Sequence, residues 1–197
     1  MEKTYAIVLY MQAYNDKASI LNVYTPSNGR SAYILYGNKR NKKKNAAYTP
    51  LSLIEITTNH ARPGTMPVVK EIQLKYVPQR ISNDIRRSAI AMFIAEVLTL
   101  SLKHPMADET LYNYIEHTIY TLDKEDNPVN IHINFLIDLA TLLGIGIDHS
   151  THARLLREPS TRKERQTQLH ELCQYFEAMI EDFHTPKSLD VLMTIFD

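Results

Sequence analysis

Apolar and polar residues alternate in short runs before residue 80, and turn residues separate the runs. Runs of this kind, rich in Tyr, Val, Ile and Thr, are typical of β-strands. Five are present, at residues 5–14, 18–25, 30–36, 48–58 and 66–77. Pro26-Ser27-Asn28-Gly29 predicts a tight turn after the second run, because Asn-Gly readily supplies positive φ. Five short strands with a polar loop at residues 37–47 favour a small barrel. An OB barrel, an SH3-like barrel and an open meander all fit this pattern.

From Ser82 onward the apolar residues recur with helical spacing. Ser82 or Asn83 is predicted to cap a first helix that runs to about Lys103. This helix is apolar around nearly its whole circumference, which is typical of a helix buried in a bundle. Four further helices are predicted at residues 108–123, 129–143, 163–183 and 188–196. The chain is therefore predicted to have an α+β fold, with a small barrel in residues 1–80 and an all-helical domain in residues 81–197.

The composition fits a folded chain of one large or two small domains, with 197 residues of which 44% are hydrophobic. Its single cysteine, Cys173, excludes an internal disulfide framework and a four-cysteine zinc site. No leader peptide and no apolar run of membrane-spanning length is visible in the sequence. We therefore expect a cytoplasmic protein that does not enter a membrane.

Charge divides the chain at the same place as the hydrophobic pattern. Residues 1–80 hold 12 Lys/Arg and 4 Asp/Glu, whereas residues 81–197 hold 10 Lys/Arg and 18 Asp/Glu. The densest basic run is Lys39-Arg40-Asn41-Lys42-Lys43-Lys44. Such a cluster repels itself, and a polyanion relieves the repulsion by replacing condensed counterions. The run therefore indicates phosphate binding; the alternative is a solvated loop that keeps the protein soluble.

Tyrosines are concentrated in the basic part, where eight of the twelve lie before residue 81. Barrels that bind single strands stack bases on exposed aromatic rings while cations follow the phosphates. Tyr33 and Tyr36 precede the basic run and are the best stacking candidates, and at least one of the two is predicted to stack bases. The alternative interpretation is that tyrosine is simply a favourable strand residue.

No catalytic motif is present, since the chain has no phosphate-binding glycine loop, no nucleophile elbow and no HExxH sequence. Asp148, His149 and His152 are potential metal ligands at close spacing. A closed zinc site needs four ligands, and no convincing fourth lies nearby in the sequence. Cys173 is predicted to lie in the core. The sequence therefore predicts no enzyme, no metal and no cofactor.

Several short motifs follow one another in a characteristic order. They are Ala6-Ile7-Val8-Leu9, residues 14–21 running into Tyr24-Thr25, Asn28-Gly29-Arg30, residues 37–40, Tyr48-Thr49-Pro50-Leu51, Leu53-Ile54-Glu55-Ile56, residues 142–146 and Lys187-Ser188-Leu189. In this order they resemble the RecO family of bacterial recombination mediators. The resemblance covers most of the chain and implies an N-terminal OB fold followed by a helical domain.

The resemblance also implies a function. Members of the family bind single- and double-stranded DNA and anneal complementary strands. With RecR, they load the RecA recombinase onto DNA coated by single-stranded DNA-binding protein (SSB). Carried over by position, the DNA-contacting residues are Arg30, Lys39, Arg40, Lys42, Lys43 and Lys44.

A protein-docking surface is expected on the acidic helical domain. SSB offers an acidic tail with an apolar end, so a basic-rimmed apolar pocket is expected, with Arg86, Arg87, Arg154 and Arg157 as rim residues. The chain departs from the family after Asp148, where many members carry a four-cysteine zinc element. Here residues 149–162 contain no cysteine and are shortened, so the resemblance implies no metal for this chain.

The leading hypothesis is a non-enzymatic mediator of recombinational DNA repair that is associated with the nucleoid. Two other classes of function fit parts of the sequence. One is an RNA-binding OB module, and the other is a metal-dependent hydrolase that uses Asp148, His149 and His152.

Overall fold

The computed structural model of the chain describes residues 2–37, 48–59, 64–103, 106–148 and 152–196. It divides into two compact units. Met1–Pro78 and Leu102–His117 form what we call the N-terminal unit. Gln79–Ser101 and Thr118–Asp197 form the C-terminal unit. Each unit is described by itself below.

The N-terminal unit is built on one antiparallel sheet of five strands. The strands are β1 (Glu2–Asn15), β2 (Ala18–Thr25), β3 (Gly29–Tyr36), β4 (Leu53–Thr58) and β5 (Val69–Tyr76). Their order in the sheet is β3-β2-β1-β4-β5. Because β1 pairs with β4 as well as with β2, the sheet is not a meander, in which only consecutive strands pair.

The two edge strands of this sheet approach each other at one point. Ile34 in β3 forms a parallel bridge with Val68, and its amide donates to the Pro67 carbonyl oxygen at 2.9 Å. This strand order with a parallel approach of β3 to the β5 edge is that of an OB fold, which confirms the predicted fold class. Among the described residues the sheet is OB-like and not closed, since one bridge replaces a continuous ladder.

The core of the unit lies on one face of the sheet, as strand alternation requires. It consists of Ala6, Val8, Leu21, Val23, Tyr33, Leu35, Ile54, Ile56 and Val69, with Met11, Tyr48 and Ile72 packed against it. β4 begins at Leu53, later than predicted from the run at residues 48–58. The backbone of Leu51 takes a left-handed conformation (φ 63°), and a strand does not continue through such a residue.

Segment Leu102–His117 covers the opposite face of the sheet near the turn between β2 and β3. Tyr24 is 1% exposed, and its hydroxyl donates to the Asp108 carbonyl oxygen at 3.4 Å. Burial, together with the charge of Asp108, raises the pKa of Tyr24 to about 12. Gly29 closes the predicted turn with φ +61°, and a Cβ there would lie 2.3 Å from the Met106 carbonyl oxygen. The turn therefore needs glycine for its conformation and for this close approach.

The remaining elements are helical, as predicted. They are α1 (Gln79–Asn83), α2 (Ile85–Ser101), α3 (Glu109–Lys124), α4 (Ile131–Leu142), a short 3-10 helix (Ala153–Leu156), α5 (Arg162–Met179) and α6 (Ser188–Ile195). The predicted cap at Ser82 or Asn83 is wrong. These residues end α1, and the Asp84 carboxylate accepts from the Arg86 amide at 2.9 Å at the start of α2. The 3-10 helix lies in a polar stretch for which no element was predicted.

Helix α5 has a full N-terminal cap and an early end. Thr161 and Glu164 form a capping box, and the backbone amide of Thr161 is the main cause that lowers the pKa of the Glu164 carboxyl to about 2. The helix ends at Met179, short of the predicted residue 183, because Ile180 is extended and Asp182 has φ 55°.

A buried carboxylate joins α1 to the end of α3 within the C-terminal unit. Asp123 is 5% exposed. It accepts hydrogen bonds from the backbone amides of Gln79 at 3.2 Å, Arg80 at 2.8 Å and Ile81 at 3.0 Å. The first amides of a helix have no partner within the helix, so Asp123 satisfies the start of α1.

We expect Gly29→Ala to destabilise the protein more than Gly144→Ala does. Both glycines have positive φ, but an added Cβ meets Met106 at Gly29 and nothing within 4 Å at Gly144. The left-handed conformation costs alanine about 1–2 kcal/mol at either site, and the contact at Gly29 adds about 1–3 kcal/mol. Urea unfolding of the two variants measures the difference. Equal losses of unfolding free energy in the two variants would show that the backbone at Met106 moves aside without cost.

Asp123→Ala is expected to lower the free energy of unfolding by about 2–3 kcal/mol, because three backbone amides lose a charged acceptor. Asp126→Ala is the matched control. Asp126 pairs with Arg80 at 2.9 Å but is 92% exposed, so its loss should cost below about 1 kcal/mol. Thermal and urea unfolding of both variants test the expectation. It fails if Asp123→Ala and Asp126→Ala lower the free energy of unfolding by the same amount.

Candidate nucleic-acid interface

The candidate interface begins where β3 ends. Tyr36 is the last residue of β3 and is 58% exposed. The amide of the next residue, Gly37, donates to the Lys17 carbonyl oxygen at 2.9 Å, which ties the end of β3 to the turn between β1 and β2. Five predicted DNA contacts, Lys39, Arg40, Lys42, Lys43 and Lys44, lie outside the described residues and stay predictions.

Tyr33 does not offer a ring for base stacking. It is 5% exposed and lies in the core cluster with Leu35 and Val23, and burial raises the pKa of its hydroxyl. Because successive residues of a strand face opposite sides, Tyr33 points inward where Tyr36 points outward. The prediction that Tyr33 stacks bases is therefore wrong, and Tyr36 is the member of the pair with an exposed ring.

Arg30 is half-buried and already engaged within the N-terminal unit. Its guanidinium donates to the Leu102 carbonyl oxygen at 3.3 Å and to the Tyr10 hydroxyl at 3.4 Å. The first bond fastens segment Leu102–His117 to the sheet, and the second connects β3 with β1. A phosphate contact by Arg30 would require them to be exchanged, so its role as a DNA contact stays a prediction.

Two further tyrosines on β1 have exposed rings, Tyr5 at 53% and Tyr14 at 60%. The Lys75 ammonium lies 5.5 Å from the centre of the Tyr5 ring and 3.0 Å from the Glu55 carboxylate. Hydrogen bonding to Lys75 is the main cause that lowers the pKa of Glu55. Tyr14 was not among the predicted site residues. The turn-forming pair Asn15-Asp16 directly after it is the sequence signal that could have indicated an exposed position.

Arg87, one of the four arginines predicted at the rim of a protein-docking pocket, does not lie at a surface. It is 4% exposed and donates to the carbonyl oxygens of Leu122 and Glu125 at the end of α3, while its Nε lies 3.2 Å from Asp84. These contacts satisfy carbonyls that have no partner within the helix. The prediction of Arg87 as a rim residue is wrong, because the side chain is a structural link inside the C-terminal unit.

The other three arginines are exposed. Arg86 lies with its guanidinium carbon 5.9 Å from the centre of the Phe196 ring. Arg154 and Arg157 line a cavity of about 540 Å³ together with Lys163. Arg154 pairs with Glu171 at 2.5 Å. The wall of the cavity is held in place by buried Gln168, whose amide donates to the carbonyl oxygens of Leu155 at 2.7 Å and Arg157 at 2.9 Å.

No metal site emerges from the part of the chain that the structure describes, where no three His, Cys, Asp or Glu side chains are placed to hold an ion. Of the potential ligands named above, His149 lies outside that part. The same residues include no helix with the length and apolar character needed to span a membrane.

Comparison with known proteins assigns both parts of the chain to one family. Residues 1–77 match the family model described as "Recombination protein O N terminal", and residues 82–174 match "Recombination protein O C terminal". The DNA repair protein RecO of Flavobacterium johnsoniae is 29% identical, with 98% of each chain covered. That of Porphyromonas gingivalis (strain W83) is 35% identical over 71% of this chain and 59% of its own length.

The alignment with the Flavobacterium protein is 233 positions long, whereas this chain has 197 residues. At least 36 of those positions (233 less 197) therefore face gaps in this chain. The sheet of OB order in the N-terminal unit, the helices that follow it and the two family models lead to one conclusion. This chain belongs to the RecO family of DNA repair proteins.

Proposed function

We propose that this chain is a non-enzymatic mediator of recombinational DNA repair that binds single- and double-stranded DNA. The observation that carries the proposal is the match to both halves of the RecO family. The uneven distribution of charge supports it, because the excess of cations lies in the part that forms the OB-like sheet. Sheets of this kind bind oligonucleotides on the face of β2 and β3 and on the neighbouring loops.

The chemistry required of the basic run is neutralisation of phosphates. Lysine and arginine hold a nucleic-acid backbone without reading its sequence and release condensed counterions as they bind. When one basic surface neutralises two strands, their mutual repulsion falls and complementary strands anneal more readily. On this proposal Lys39, Arg40, Lys42, Lys43 and Lys44 supply the cations, and Tyr36, three residues before Lys39 in the sequence, supplies an exposed ring.

The two parts of the chain divide the work in this proposal. Residues 1–80 act as the DNA-binding OB module, and residues 81–197, with a charge balance of −8, act as a platform for proteins. By the family resemblance the partners are RecR and SSB, and the outcome is loading of RecA onto SSB-coated DNA. The site of action is the nucleoid in the cytoplasm.

The acidic SSB tail requires cations around a space large enough for a peptide. The cavity lined by Arg154, Arg157 and Lys163 has that volume, and Glu158, Glu164 and Glu171 line it as well. The exposed Arg86 beside Phe196 is a second basic position, but the nearest cavity, which Phe196 lines, has a volume of about 20 Å³. We assign the tail to the larger cavity.

Changing Lys42, Lys43 and Lys44 together to glutamate is expected to lower affinity for a single-stranded oligonucleotide at least 10-fold. The slope of log affinity against log salt should also fall by about 2, since three phosphate contacts are lost. Fluorescence anisotropy at two salt concentrations measures both quantities. The matched control changes exposed Lys124, Lys163 and Lys187 to glutamate, which alters the net charge equally. Unchanged binding of the first variant at low salt would contradict the assignment.

Equal competition by an RNA of the same sequence would favour an RNA-binding module.

The double variant Arg154→Ala, Arg157→Ala is expected to bind a synthetic acidic SSB-tail peptide about 10-fold more weakly, because two rim charges are lost. Its affinity for single-stranded DNA should be unchanged. Titration calorimetry measures the first and anisotropy the second. Arg86→Ala is the comparison. If it weakens the peptide and the double variant does not, the tail lies beside Phe196 instead.

A further inference from the structure

Tyr14 and Tyr36 have the highest exposed fractions of any tyrosines that the structure describes, at 60% and 58%. An exposed aromatic ring keeps apolar surface in water, and exposed rings near cations are a recurring means of binding unstacked bases. The two residues lie 22 positions apart in the sequence, on different strands.

The register of the sheet brings these two tyrosines to the same end of the sheet. Ala18 in β2 pairs with Tyr36 on one side and with Asn15 on the other. The neighbouring pair is Ala13 with Ser19, so β1 carries one extra residue, Tyr14, at this point. An extra residue of this kind is a β-bulge, which re-aims a side chain. Tyr36 and Asn15, the neighbour of Tyr14, therefore flank Ala18 from strands about 10 Å apart.

The residues beside Tyr36 on its face of β2 and β3 are small or apolar. Ala18 is 5% exposed, and the next pair on the same face of β2 and β3 is Ile20 with Ile34, both partly exposed. Ile20 and Ile34 therefore offer apolar surface on the face that carries Tyr36, and a flat ligand can lie against it.

The end of the sheet is held in place before any ligand binds. The Asn15 side-chain oxygen accepts from the Lys17 amide at 2.9 Å, which fixes the turn between β1 and β2. The Lys17 carbonyl oxygen accepts from the Gly37 amide at 2.9 Å, which fixes the end of β3. The exposed Lys17 side chain lies on this turn. Rings on a preformed surface lose little freedom when a ligand stacks on them.

We propose that Tyr14 and Tyr36 form a two-ring platform that stacks two unpaired bases of a single strand, with Lys17 beside the phosphate between them. The occupant follows from the two exposed rings, from the partly exposed Ile20 and Ile34 on the face of Tyr36, and from the excess of cations in residues 1–80. The inference rests on the proposed DNA-binding function and adds to it the means of distinguishing single from double strands. Phosphate contacts serve both forms, whereas a duplex keeps its bases stacked inside and presents none to the rings.

The test compares three variants for binding to a single-stranded oligonucleotide and to a duplex of the same sequence. Tyr14→Ala with Tyr36→Ala should lower single-strand affinity at least 10-fold and leave duplex affinity within about twofold. Tyr14→Phe with Tyr36→Phe should retain single-strand binding, because phenylalanine keeps the stacking surface. Tyr5→Ala removes an exposed ring elsewhere on β1 and should change neither affinity. Quenching of 2-aminopurine placed in the strand reports stacking directly, and thermal unfolding shows that each variant is folded.

The proposed platform is contradicted if the double alanine variant binds the single strand as tightly as the unchanged protein does. It is also contradicted if the affinities for the single strand and the duplex fall by the same factor. Binding of neither form of DNA by the unchanged protein would overturn the proposed function and the platform with it. Selective loss of single-strand affinity with retained duplex affinity supports both.

Discussion

The two-sided pairing of β1 holds the N-terminal unit together. One edge of this strand is hydrogen-bonded to β2 and the other to β4, so it joins the hairpin of β2 and β3 to that of β4 and β5. The pairing sets the strand order and brings Ile34 near Val68. Two residues of β1, Leu9 and Tyr14, have no partner in the pairing with β2 and are extra residues of that strand. Leu9 is buried and Tyr14 is exposed, so the irregularities of one strand contribute both to the interior and to the candidate interface.

Charged side chains have two separate tasks in this protein. Arg87 and Asp123 are buried, and each satisfies backbone groups at a helix end. Glu96 does the same at the start of α6, where it accepts from the amide of Ser188 at 2.8 Å and from that of Lys187 at 3.0 Å. Such groups are costly to bury unless they are fully hydrogen-bonded. A phosphate contact makes the opposite demand on a cation, because it requires a side chain that no protein group already occupies.

The sequence pattern located most elements correctly, because the periods of strands and helices follow from which residues must face the core. Its errors lie at boundaries set by single backbone conformations. Leu51 delays β4, and Ile180 and Asp182 end α5 early. Asp84 takes the place of the predicted cap, because its carboxylate reaches the Arg86 amide. A periodic pattern contains no information about any of these local φ and ψ angles.

The candidate interface was partly predictable, and the reason differs from residue to residue. The excess of cations and tyrosines before residue 81 is a property of the sequence alone. Which of Tyr33 and Tyr36 is exposed cannot be read from the sequence alone, because both are tyrosines on one strand. They differ only in whether the side chain faces the core. The two arginines Arg30 and Arg87 likewise have the same charge as exposed ones, yet their guanidinium groups bind carbonyl oxygens far away in the chain.

The sequence by itself determined the α+β order of elements, the separation of a basic part from an acidic part, and the resemblance to the RecO family. These depend on composition and on periods of two to four residues, which are local. The tertiary structure decided which tyrosines are exposed, which arginines are engaged, and that the bulge at Tyr14 lies across β2 from Tyr36. Those facts depend on strand register and on contacts between distant residues, and a register is settled only when the strands pair.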